Sequence, residues 1–380
     1  MIYLDNAATT RTAPEVVEAM LPYFTEYFGN AGTVYKLGTE SKRAVIRAKE
    51  TIAQTLHAEA NEIYFTAGGT ESDNWALKAA YEAYRDKGNH IITSKIEHHA
   101  ILHTCEYLEK QGAEITYLDV DEDGLIDVQQ LREAIRHDTI LISVMYANNE
   151  IGTIQPIKEI GEIANENGIL FHTDAVQAYG QLPIDVADCH IDMLSASGHK
   201  FNGPKGIGFL YIGKRAKIRS FIHGGQQERG RRAGTENVAG IVGMEAAVKR
   251  AYRIMEEKTK KETELRDYLI GRILYEIPDT RLNGHSVRRL PGNVSVSIAS
   301  VEGESVLIML DMQEICASSG SACTTGALDP SHVLLAIGLS PEMSRGSLRL
   351  TLSEDNTKEE MDIVVEELKQ IVIRLREHRI

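Results

Sequence analysis

One lysine stands among small residues between two apolar segments. It ends the run Ser-Gly-His-Lys at positions 197–200, in the loop that joins the apolar segments 191–196 and 207–212. An amine at the end of a buried strand loses hydration, which lowers its pKa and makes it a good nucleophile for a carbonyl carbon. Lys200 is therefore a candidate for a Schiff base, although a His-Lys pair before glycine and proline is also typical of an exposed turn.

An acid ends the preceding apolar strand. Asp174 closes the segment 168–174, and the next apolar segment leads to Lys200. Alone, such an acid is typical of a helix N-cap. An acid and a lysine at neighbouring strand ends are, however, the two groups that pyridoxal 5'-phosphate (PLP) requires, a carboxylate beside its pyridinium nitrogen and an amine for its aldehyde. Together the two residues predict a PLP site.

A helix start follows two consecutive glycines further upstream. Gly68 and Gly69 precede Thr70, and Asp73 completes a capping pattern that predicts a helix from about 71 to 85. The free backbone N–H groups and the dipole of such a helix start favour a phosphate group. A capped helix after a tight turn explains the same residues equally well.

A histidine and an arginine are candidates for contacts to a cofactor and to a carboxylate. His98 begins a predicted helix, where a neutral imidazole could stack on a cofactor ring and move protons, or form an ordinary polar helix start. Arg349 lies among apolar neighbours in the predicted strand 347–352. Its guanidinium there requires a carboxylate, either a bidentate ligand or a structural ion pair.

One cysteine lies in a segment made almost entirely of small residues. Cys323 is surrounded by serine, alanine, threonine and glycine in the segment 317–326. Such a composition favours exposure and mobility, which suits a thiol that moves between two partners. An incidental, buried and inert cysteine is equally consistent with the local sequence.

Helices and strands alternate through the first two thirds of the chain. After an extended arm at 3–10, the predicted helices cover 14–27, 39–56, 71–85, 100–111, 128–135 and 157–167, and the predicted strands cover 62–66, 90–94, 114–118, 139–145, 169–173, 191–196 and 207–212. This alternation predicts a mostly parallel α/β sheet covered by helices, with ligands at the strand C-termini.

The last third of the chain predicts a smaller α+β region. A long helix at 237–275 leads to strands at 293–298, 315–318 and 347–352 and to helices at 303–312 and 357–376. A chain of 380 residues is longer than one compact core usually organises. We therefore predict a large domain at 15–257 and a small domain formed by 1–14 and 258–380.

Composition excludes several classes of partner. The net charge of −14 argues against a nucleic acid, and the basic run 229–232 is typical of a solvated loop. We see neither a secretory signal nor an apolar stretch of bilayer length. Four cysteines without a Cys-x-x-Cys pair predict reduced thiols in the cytoplasm and no structural metal site.

With these residues collected, the chain resembles the cysteine desulfurases of the NifS/IscS type, which are fold-type I PLP enzymes. The resemblance extends over nearly the whole length, and it implies a mostly parallel seven-stranded sheet, PLP as cofactor and a homodimer. The matching motifs are Gly69-Thr70-Glu71-Ser72, Glu97-His98, Asn148-Asn149-Glu150-Ile151-Gly152, Asp174-Ala175-Val176-Gln177, Ser197-Gly198-His199-Lys200, Arg232-Ala233-Gly234-Thr235, Ser318-Ser319-Gly320-Ser321-Ala322-Cys323 and Arg349.

The resemblance also implies a role for each matching residue. Lys200 would hold PLP and move the substrate proton, Asp174 would pair with the pyridinium nitrogen, and His98 would stack on the ring. The other implied contacts are Gln177 and Asn149 at the ring oxygen, Gly69, Thr70, Ser197 and His199 at the phosphate, Thr235 from the second subunit, and Arg349 with Asn149 at the carboxylate of L-cysteine.

The implied reaction converts L-cysteine to L-alanine and leaves a persulfide on Cys323. Acceptor proteins would then take the sulfur for iron–sulfur cluster assembly or for tRNA or cofactor thiolation, with an iron–sulfur scaffold or a tRNA-thiolation enzyme as partner. Cys323 would serve as a transient iron–sulfur ligand at most. The alternatives are another PLP reaction, such as transamination or selenocysteine cleavage, and a platform without catalysis that binds sulfur-accepting partners.

Two segments depart from the pattern of the family. The usual Asn-Pro-Ser-Ser-x-His is replaced at 30–35 by Asn-Ala-Gly-Thr-Val-Tyr, which lacks the proline and the histidine. Ser-Arg-Gly at 344–346 replaces a stretch like Ala-His-Ser. Because glycine adds conformational freedom, we expect a looser loop at 30–35. The two departures together predict a specialised member of the family with a different acceptor.

Overall fold

The computed structural model of the chain describes residues 1–319 and 330–377. Cys323 and most of the predicted cysteine segment lie outside the described residues. The strands are β1 (Ile2–Tyr3), β2 (Ile63–Thr66), β3 (His90–Ser94), β4 (Glu114–Leu118), β5 (Thr139–Ser143), β6 (Leu170–Asp174), β7 (Met193–Ser197), β8 (Gly208–Ile212), β9 (Thr280–Leu282), β10 (Asn293–Ile298), β11 (Ile315–Cys316) and β12 (Ser347–Thr351).

Helices cover the sheets and connect the strands. They are α1 (Pro14–Met20), α2 (Pro22–Thr25), α3 (Lys36–Leu56), α4 (Gly69–Tyr84), α5 (His99–Glu109), α6 (Val128–Ala134), α7 (Ile157–Glu166), α8 (Val238–Glu276), α9 (Gly303–Asp311), α10 (His332–Ala336), α11 (Pro341–Arg345) and α12 (Lys358–Glu377), with short 3-10 turns at 60–62, 198–200 and 227–230. No helix of this part of the chain is long and apolar enough to cross a bilayer.

The central sheet has seven strands in the order β2-β8-β7-β6-β5-β3-β4. Only β8 runs antiparallel to its neighbours, so the predicted fold class is confirmed. Every residue of β3, β5, β6 and β7 is buried, as expected of parallel strands that are covered by helices on both faces. The carboxyl ends of these strands therefore open at one edge of the sheet, where their polar terminal residues meet.

A smaller sheet region has its own apolar core. Strands β12, β10 and β9 form an antiparallel sheet, and β1 pairs in parallel with β11. Helix α8 contributes Met244 and Val248 to the core of the large sheet, and Leu269 and Ile273 to the second core. This distribution is compatible with the predicted boundary near residue 257, which stays a prediction.

Two helix predictions need correction. The helix expected at 14–27 is two short helices, because Pro22 lacks the N–H that would continue the hydrogen bonding of α1. Helix α4 begins at Gly69 rather than at 71, and no side chain caps it. The capping pattern of Thr70 with Asp73 was wrong, because Asp73 is only 1% exposed and turns inward.

Candidate active site

A cavity of about 290 Å³ opens at the carboxyl ends of the central strands. Its walls come from the sheet edge, the start of α4, the N-terminal arm and strand β12. The lining residues are Ala7, Ala8, Gly69, Thr70, Asp73, His98, Met145, Ala147, Asn149, Asp174, Val176, Gln177, Ser197, His199, Lys200 and Arg349. The structure thus brings together most of the predicted site residues, although they are spread over almost 300 positions of the chain.

Lys200 reaches the cavity from the short turn that follows β7. Its Nζ donates hydrogen bonds to the carbonyl oxygens of Ala7 (2.5 Å) and Ala8 (2.9 Å). The predicted exposed turn is thereby excluded, because the N-terminal arm covers the lysine. The amine faces the same space as Asp174 and Arg349.

Asp174 is the last residue of β6 and is 5% exposed. Its Oδ1 accepts a hydrogen bond from the backbone N–H of Val176 (2.9 Å). Burial raises the pKa of Asp174 above its usual range, and the Val176 N–H and the positive charge of Lys200 oppose that rise. A cationic ring nitrogen beside this carboxyl would restore the ionised form.

His98 is the polar start of α5 and also lines the cavity. It is the N-cap of α5, where its Nδ1 accepts a hydrogen bond from the N–H of Ala100 (3.1 Å). Burial, together with the charge of Lys200, lowers the pKa of His98 to about 4. The ring is therefore neutral at physiological pH, and because Nδ1 accepts, Nε2 carries its proton.

The start of α4 provides an anion site at one end of the cavity. Gly68 has φ of 151°, a backbone conformation that favours glycine. A Cβ on Gly69 would lie 2.6 Å from a methyl carbon of Val176, so a larger residue would not fit beside that side chain. Thr70 lies in the first turn. Unpaired N–H groups and the helix dipole at this end favour a phosphate.

Two polar side chains flank that helix start. Ser197 and His199 line the cavity next to Gly69. The Nδ1 of His199 is 3.1 Å from the hydroxyl of Thr9, and burial lowers the pKa of His199 to about 4. His199 is therefore neutral and can offer an N–H to an anion without an ionic charge.

Arg349 enters from the opposite wall, in strand β12. It is 3% exposed, and its Nη1 and Nη2 donate to the carbonyl oxygen of Asn149 (3.0 Å) and to Oδ1 of Asp5 (3.0 Å). Within residues 1–319 and 330–377, its Nε has no hydrogen-bond partner. The structural ion pair, one of the two alternatives for Arg349, is therefore present. Its buried Nε is a donor that a bound ligand could pair.

Thr235 is the predicted cofactor contact that the cavity does not contain. It is exposed, and it does not line the cavity. Gln177, by contrast, lies beside the arm, where its Nε2 donates to the carbonyl oxygen of Ala7 (3.0 Å).

On either side of residues 320–329, the chain is tied to residues next to the cavity. Ser318 exchanges two backbone hydrogen bonds with Arg349, at 3.1 and 2.6 Å. At the other end, Ser331 caps α10 and donates from its hydroxyl to Oε2 of Glu150 (2.5 Å), the residue after Asn149. Both attachment points are therefore fixed beside the proposed carboxylate site.

Several contributors were missed from the sequence. The carbonyls of Ala7 and Ala8 and the carboxylate of Asp5 come from an arm without any recognised chemical pattern. Asp73 was interpreted as a helix cap, yet its Oδ1 lies 3.7 Å from Nε2 of the buried His172. A buried acid in an amphipathic helix was the one available signal, because charged residues are rarely buried without a partner.

The residues present fit PLP. The cavity combines an amine, a buried acid, a neutral ring and a helix start suited to a phosphate. Two of its buried polar atoms, Nε of Arg349 and Oδ1 of Asp73, have no hydrogen-bond partner among the described residues. These features match the groups that a phosphorylated pyridine aldehyde and an attached amino acid present.

Comparison with known proteins identifies the family. The Aminotransferase class-V family matches residues 2–364 of the chain. The chain belongs to this family. A cysteine desulfurase IscS from Methanosarcina thermophila is 58% identical over 375 residues, which are 99% of this chain and 93% of the relative. A cysteine desulfurase IscS from Clostridium botulinum is 55% identical, over 99% of this chain and 95% of the relative.

Solved structures agree with this assignment. A protein described as NifS-like superposes with a TM-score of 0.92 at 36% identity, covering 98% of this chain and 99% of that one. A structure of SspA in complex with cysteine has a TM-score of 0.82 at 39% identity, covering 93% and 99%. Within the class-V family the chain is thus a NifS/IscS-type cysteine desulfurase, and the predicted PLP dependence is confirmed.

Proposed function

We propose that the protein removes sulfur from L-cysteine, with L-alanine and a persulfide on Cys323 as products. The observation that carries this proposal is the single cavity that contains Lys200, Asp174, His98 and Arg349. The relatives named cysteine desulfurase, and the similar structure that holds cysteine, support the same substrate.

Each residue would have one task towards PLP. Lys200 would hold the aldehyde carbon, Asp174 the ring nitrogen, His98 one face of the ring, and Gln177 and Asn149 the ring oxygen. Gly69, Thr70, Ser197 and His199 would hold the phosphate at the start of α4, with Thr235 supplied by a second subunit. When bound, PLP supplies an electron sink that weakens the bonds next to the α-carbon of an attached amino acid.

The remaining tasks concern the substrate. Arg349 and Asn149 would bind its carboxylate, and Lys200 would take the proton from its α-carbon. The thiolate of Cys323 would attack the sulfur of the substrate and form an S–S bond while the bond between Cβ and sulfur breaks. The electron pair of the broken bond stays with the carbon skeleton, which takes up protons and leaves as alanine, while the two sulfur atoms remain together as the persulfide.

A homodimer is part of this proposal. Thr235 is exposed and outside the cavity of its own chain, as expected if it serves a second copy. Large apolar side chains between residues 21 and 35 are also exposed and would be covered by such a contact. They are Leu21 (58%), Phe24 (61%), Tyr27 (41%), Phe28 (68%), Val34 (98%) and Tyr35 (54%).

The acceptor is proposed from the family alone. The sulfur would pass to an iron–sulfur scaffold or to a tRNA- or cofactor-thiolating enzyme, in the cytoplasm, and Cys323 would be at most a transient iron–sulfur ligand. The departures at 30–35 and 344–346 would adapt the protein to its own acceptor.

Labelling with sulfur-35 cysteine tests the proposal. The PLP-loaded enzyme is incubated with labelled L-cysteine, alanine is quantified, and the labelled peptide is mapped. We expect alanine release and label on Cys323, both lost in Cys323→Ala and both retained in the matched control Cys316→Ala. Normal turnover of L-cysteine by Cys323→Ala would contradict the proposal and favour another PLP reaction.

A further inference from the structure

The buried arginine of the cavity already has a carboxylate partner from its own chain. Oδ1 of Asp5 accepts a hydrogen bond from Nη2 of Arg349 at 3.0 Å, across 344 positions of sequence. The side chain of Arg349 is 4% exposed, whereas that of Asp5 is 22% exposed. An entering ligand therefore meets a guanidinium whose charge is largely compensated.

The position of Asp5 is fixed by the backbone on both sides. The N–H of Leu4 donates to the carbonyl of Cys316 (2.9 Å), and the N–H of Thr351 donates to the carbonyl of Leu4 (2.7 Å). On the other side, the side-chain amide of Asn6 donates to the carbonyl of Thr351 (2.8 Å). Asp5 is thus held against β12 by a paired arm, so its backbone stays in place and its carboxylate can leave Arg349 only by rotation of the side chain.

A second acid, Glu150, interacts with the same guanidinium, and burial raises the pKa of its carboxyl to about 7, so that it is only partly ionised at neutral pH. Glu150 is 5% exposed, and its carboxyl accepts a hydrogen bond from the hydroxyl of Ser331. Its charge interacts with that of Arg349. A substrate carboxylate that arrives at Arg349 therefore adds a negative charge where Asp5 already supplies one, and at such distances two carboxylates repel each other strongly in a buried site.

We infer that Asp5 competes with the α-carboxylate of the amino acid for Arg349, and that the N-terminal arm thereby sets the affinity and the carboxylate preference of the site. The inference deepens the proposed function, since it rests on Arg349 as the carboxylate-binding residue. Asp5 compensates the buried cation when the site holds no amino acid, and it weakens the hold on the product so that alanine can leave.

The substitution Asp5→Asn separates charge from hydrogen bonding. Asparagine keeps an oxygen that can accept from Arg349, but it removes the negative charge. Glu314→Gln is the matched control, because Glu314 forms an exposed ion pair with the amino group of Met1 on the same arm. Both variants change the net charge by one unit.

Ligand binding to the PLP-loaded enzyme is the first measurement. Dissociation constants are obtained from the change in cofactor absorbance on adding L-alanine or L-alaninamide, which lacks the carboxylate. In Asp5→Asn we expect L-alanine to bind about fivefold more tightly and L-alaninamide to change by less than about twofold, because the repulsion acts on the carboxylate, which L-alaninamide lacks. Glu314→Gln should match the wild type for both ligands.

Thermal unfolding of the cofactor-free protein is the second measurement. Asp5→Asn should lower Tm, because it leaves a buried guanidinium without its acid. Sodium acetate, used as the probe, should then raise the Tm of Asp5→Asn more than that of the wild type, because ligands stabilise the state they bind. If Asp5→Asn does not fold, Asp5→Ser is measured in the same way.

The outcomes distinguish this inference from the proposed function. Unchanged or weaker binding of L-alanine to Asp5→Asn, or an equal effect of acetate on both proteins, overturns the competition. Arg349→Lys tests the underlying role. If that variant still binds L-alanine like the wild type, the proposed carboxylate site fails. If it loses the preference for L-alanine over L-alaninamide while Asp5→Asn matches the wild type, only the inference about Asp5 fails.

Discussion

The two walls of the cavity are built in different ways. At the sheet edge, Asp174 ends β6 and Lys200 lies just after β7, and these consecutive strands pair in parallel, so chain order places the two residues at the same edge. On the opposite wall, Asp5 and Arg349 come from the two ends of the chain and meet through an arm and a separate small sheet. The first wall follows the rule that the carboxyl ends of parallel strands meet at one edge of the sheet, whereas the second depends on a tertiary contact that no local sequence pattern predicts.

The walls also differ in charge. The sheet edge buries the acids Asp73, Glu97 and Asp174, and burial raises the pKa of each of these carboxyls. The other wall buries one cation that is already paired with an acid. The sheet edge is therefore short of positive charge, which a cationic ring nitrogen would supply, while the second wall is close to balanced.

Loss of the lysine should give the largest effect. We expect Lys200→Ala to lower turnover of L-cysteine by at least ~1,000-fold, because one residue both holds the cofactor and moves the proton. Lys205→Ala, an exposed lysine of the same loop, is the matched control and should retain turnover and the cofactor spectrum. Alanine formation and absorbance spectra are measured for both. If Lys200→Ala still converted L-cysteine to alanine, Lys200 would not be the residue that holds the cofactor and moves the proton.

A change on the second wall should affect substrate binding rather than cofactor binding. Arg349→Lys loses the planar fork of donors, so we expect KM for L-cysteine to rise about 30-fold with little change in PLP affinity. Arg345→Lys, an exposed arginine just before β12, should leave both values unchanged. Steady-state kinetics and PLP titration measure the two effects. If KM for L-cysteine and the dissociation constant for PLP rose by the same factor, the two walls would not have separate roles in substrate and cofactor binding.

The attachment of the cysteine segment provides a third comparison. Ser331 and Ser340 both cap short helices, but only Ser331 also donates to a buried acid. Ser331→Ala should therefore cost ~1–3 kcal/mol more free energy of unfolding than Ser340→Ala, because it leaves Glu150 without that donor. Denaturant unfolding of the cofactor-free variants measures the difference. Equal losses would mean that the contact to Glu150 adds nothing beyond capping.

The buried acid of the sheet edge should produce the smallest effect, visible only against pH. Burial raises the pKa of Glu97 to about 8 from an ordinary value near 4.5. A raised pKa means that its contribution to stability is complete below about pH 4.5 and is lost as the pH rises through 8. Glu97→Gln keeps the acceptor for Ser94 and Met145 without an ionisable group.

The free energy of unfolding should therefore fall between pH 5 and pH 8 by ~1–2 kcal/mol less in Glu97→Gln than in the wild type. Glu109→Gln, an exposed acid at the end of helix α5, which begins just after Glu97, should follow the wild-type pH dependence. Urea unfolding at the two pH values measures this. If the free energy of unfolding changed equally between the two pH values in all three proteins, the Glu97 carboxyl would not have a raised pKa in the folded state.

Most of the sheet and its edge could be predicted from the sequence. Apolar strands alternate with amphipathic helices, and polar residues such as Asp174 and Lys200 follow them directly. The sequence places the start of α4 two residues too late, because consecutive glycines are typical of a turn. In the structure Gly69 is already the first residue of the helix. Helix α1 ends at Met20 with Leu21 as its C-cap, because the proline at position 22 has no N–H to continue the helix, and a periodic apolar pattern does not reveal that loss.

The second wall was predictable only in part. Arg349 was recognised because a guanidinium within an apolar strand requires a carboxylate, but nothing near it in sequence indicated Asp5 as that partner. The carbonyls of Ala7 and Ala8 were equally hidden, because any residue has a carbonyl and its use depends on where the arm lies. Thr235 and Cys323 keep their predicted roles as proposals.

Helix α8 has a mechanical consequence for both walls. Its 39 residues correspond to about 58 Å of continuous helix, and its two halves pack into different apolar cores. Midway along it, Lys258 lies 3.5 Å from Glu354, just beyond the strand that carries Arg349. Because one helix packs into both cores, loss of order in either core would disturb the other. Melting of the small sheet would therefore displace Arg349 and Lys200 together, and the protein would unfold as one cooperative unit.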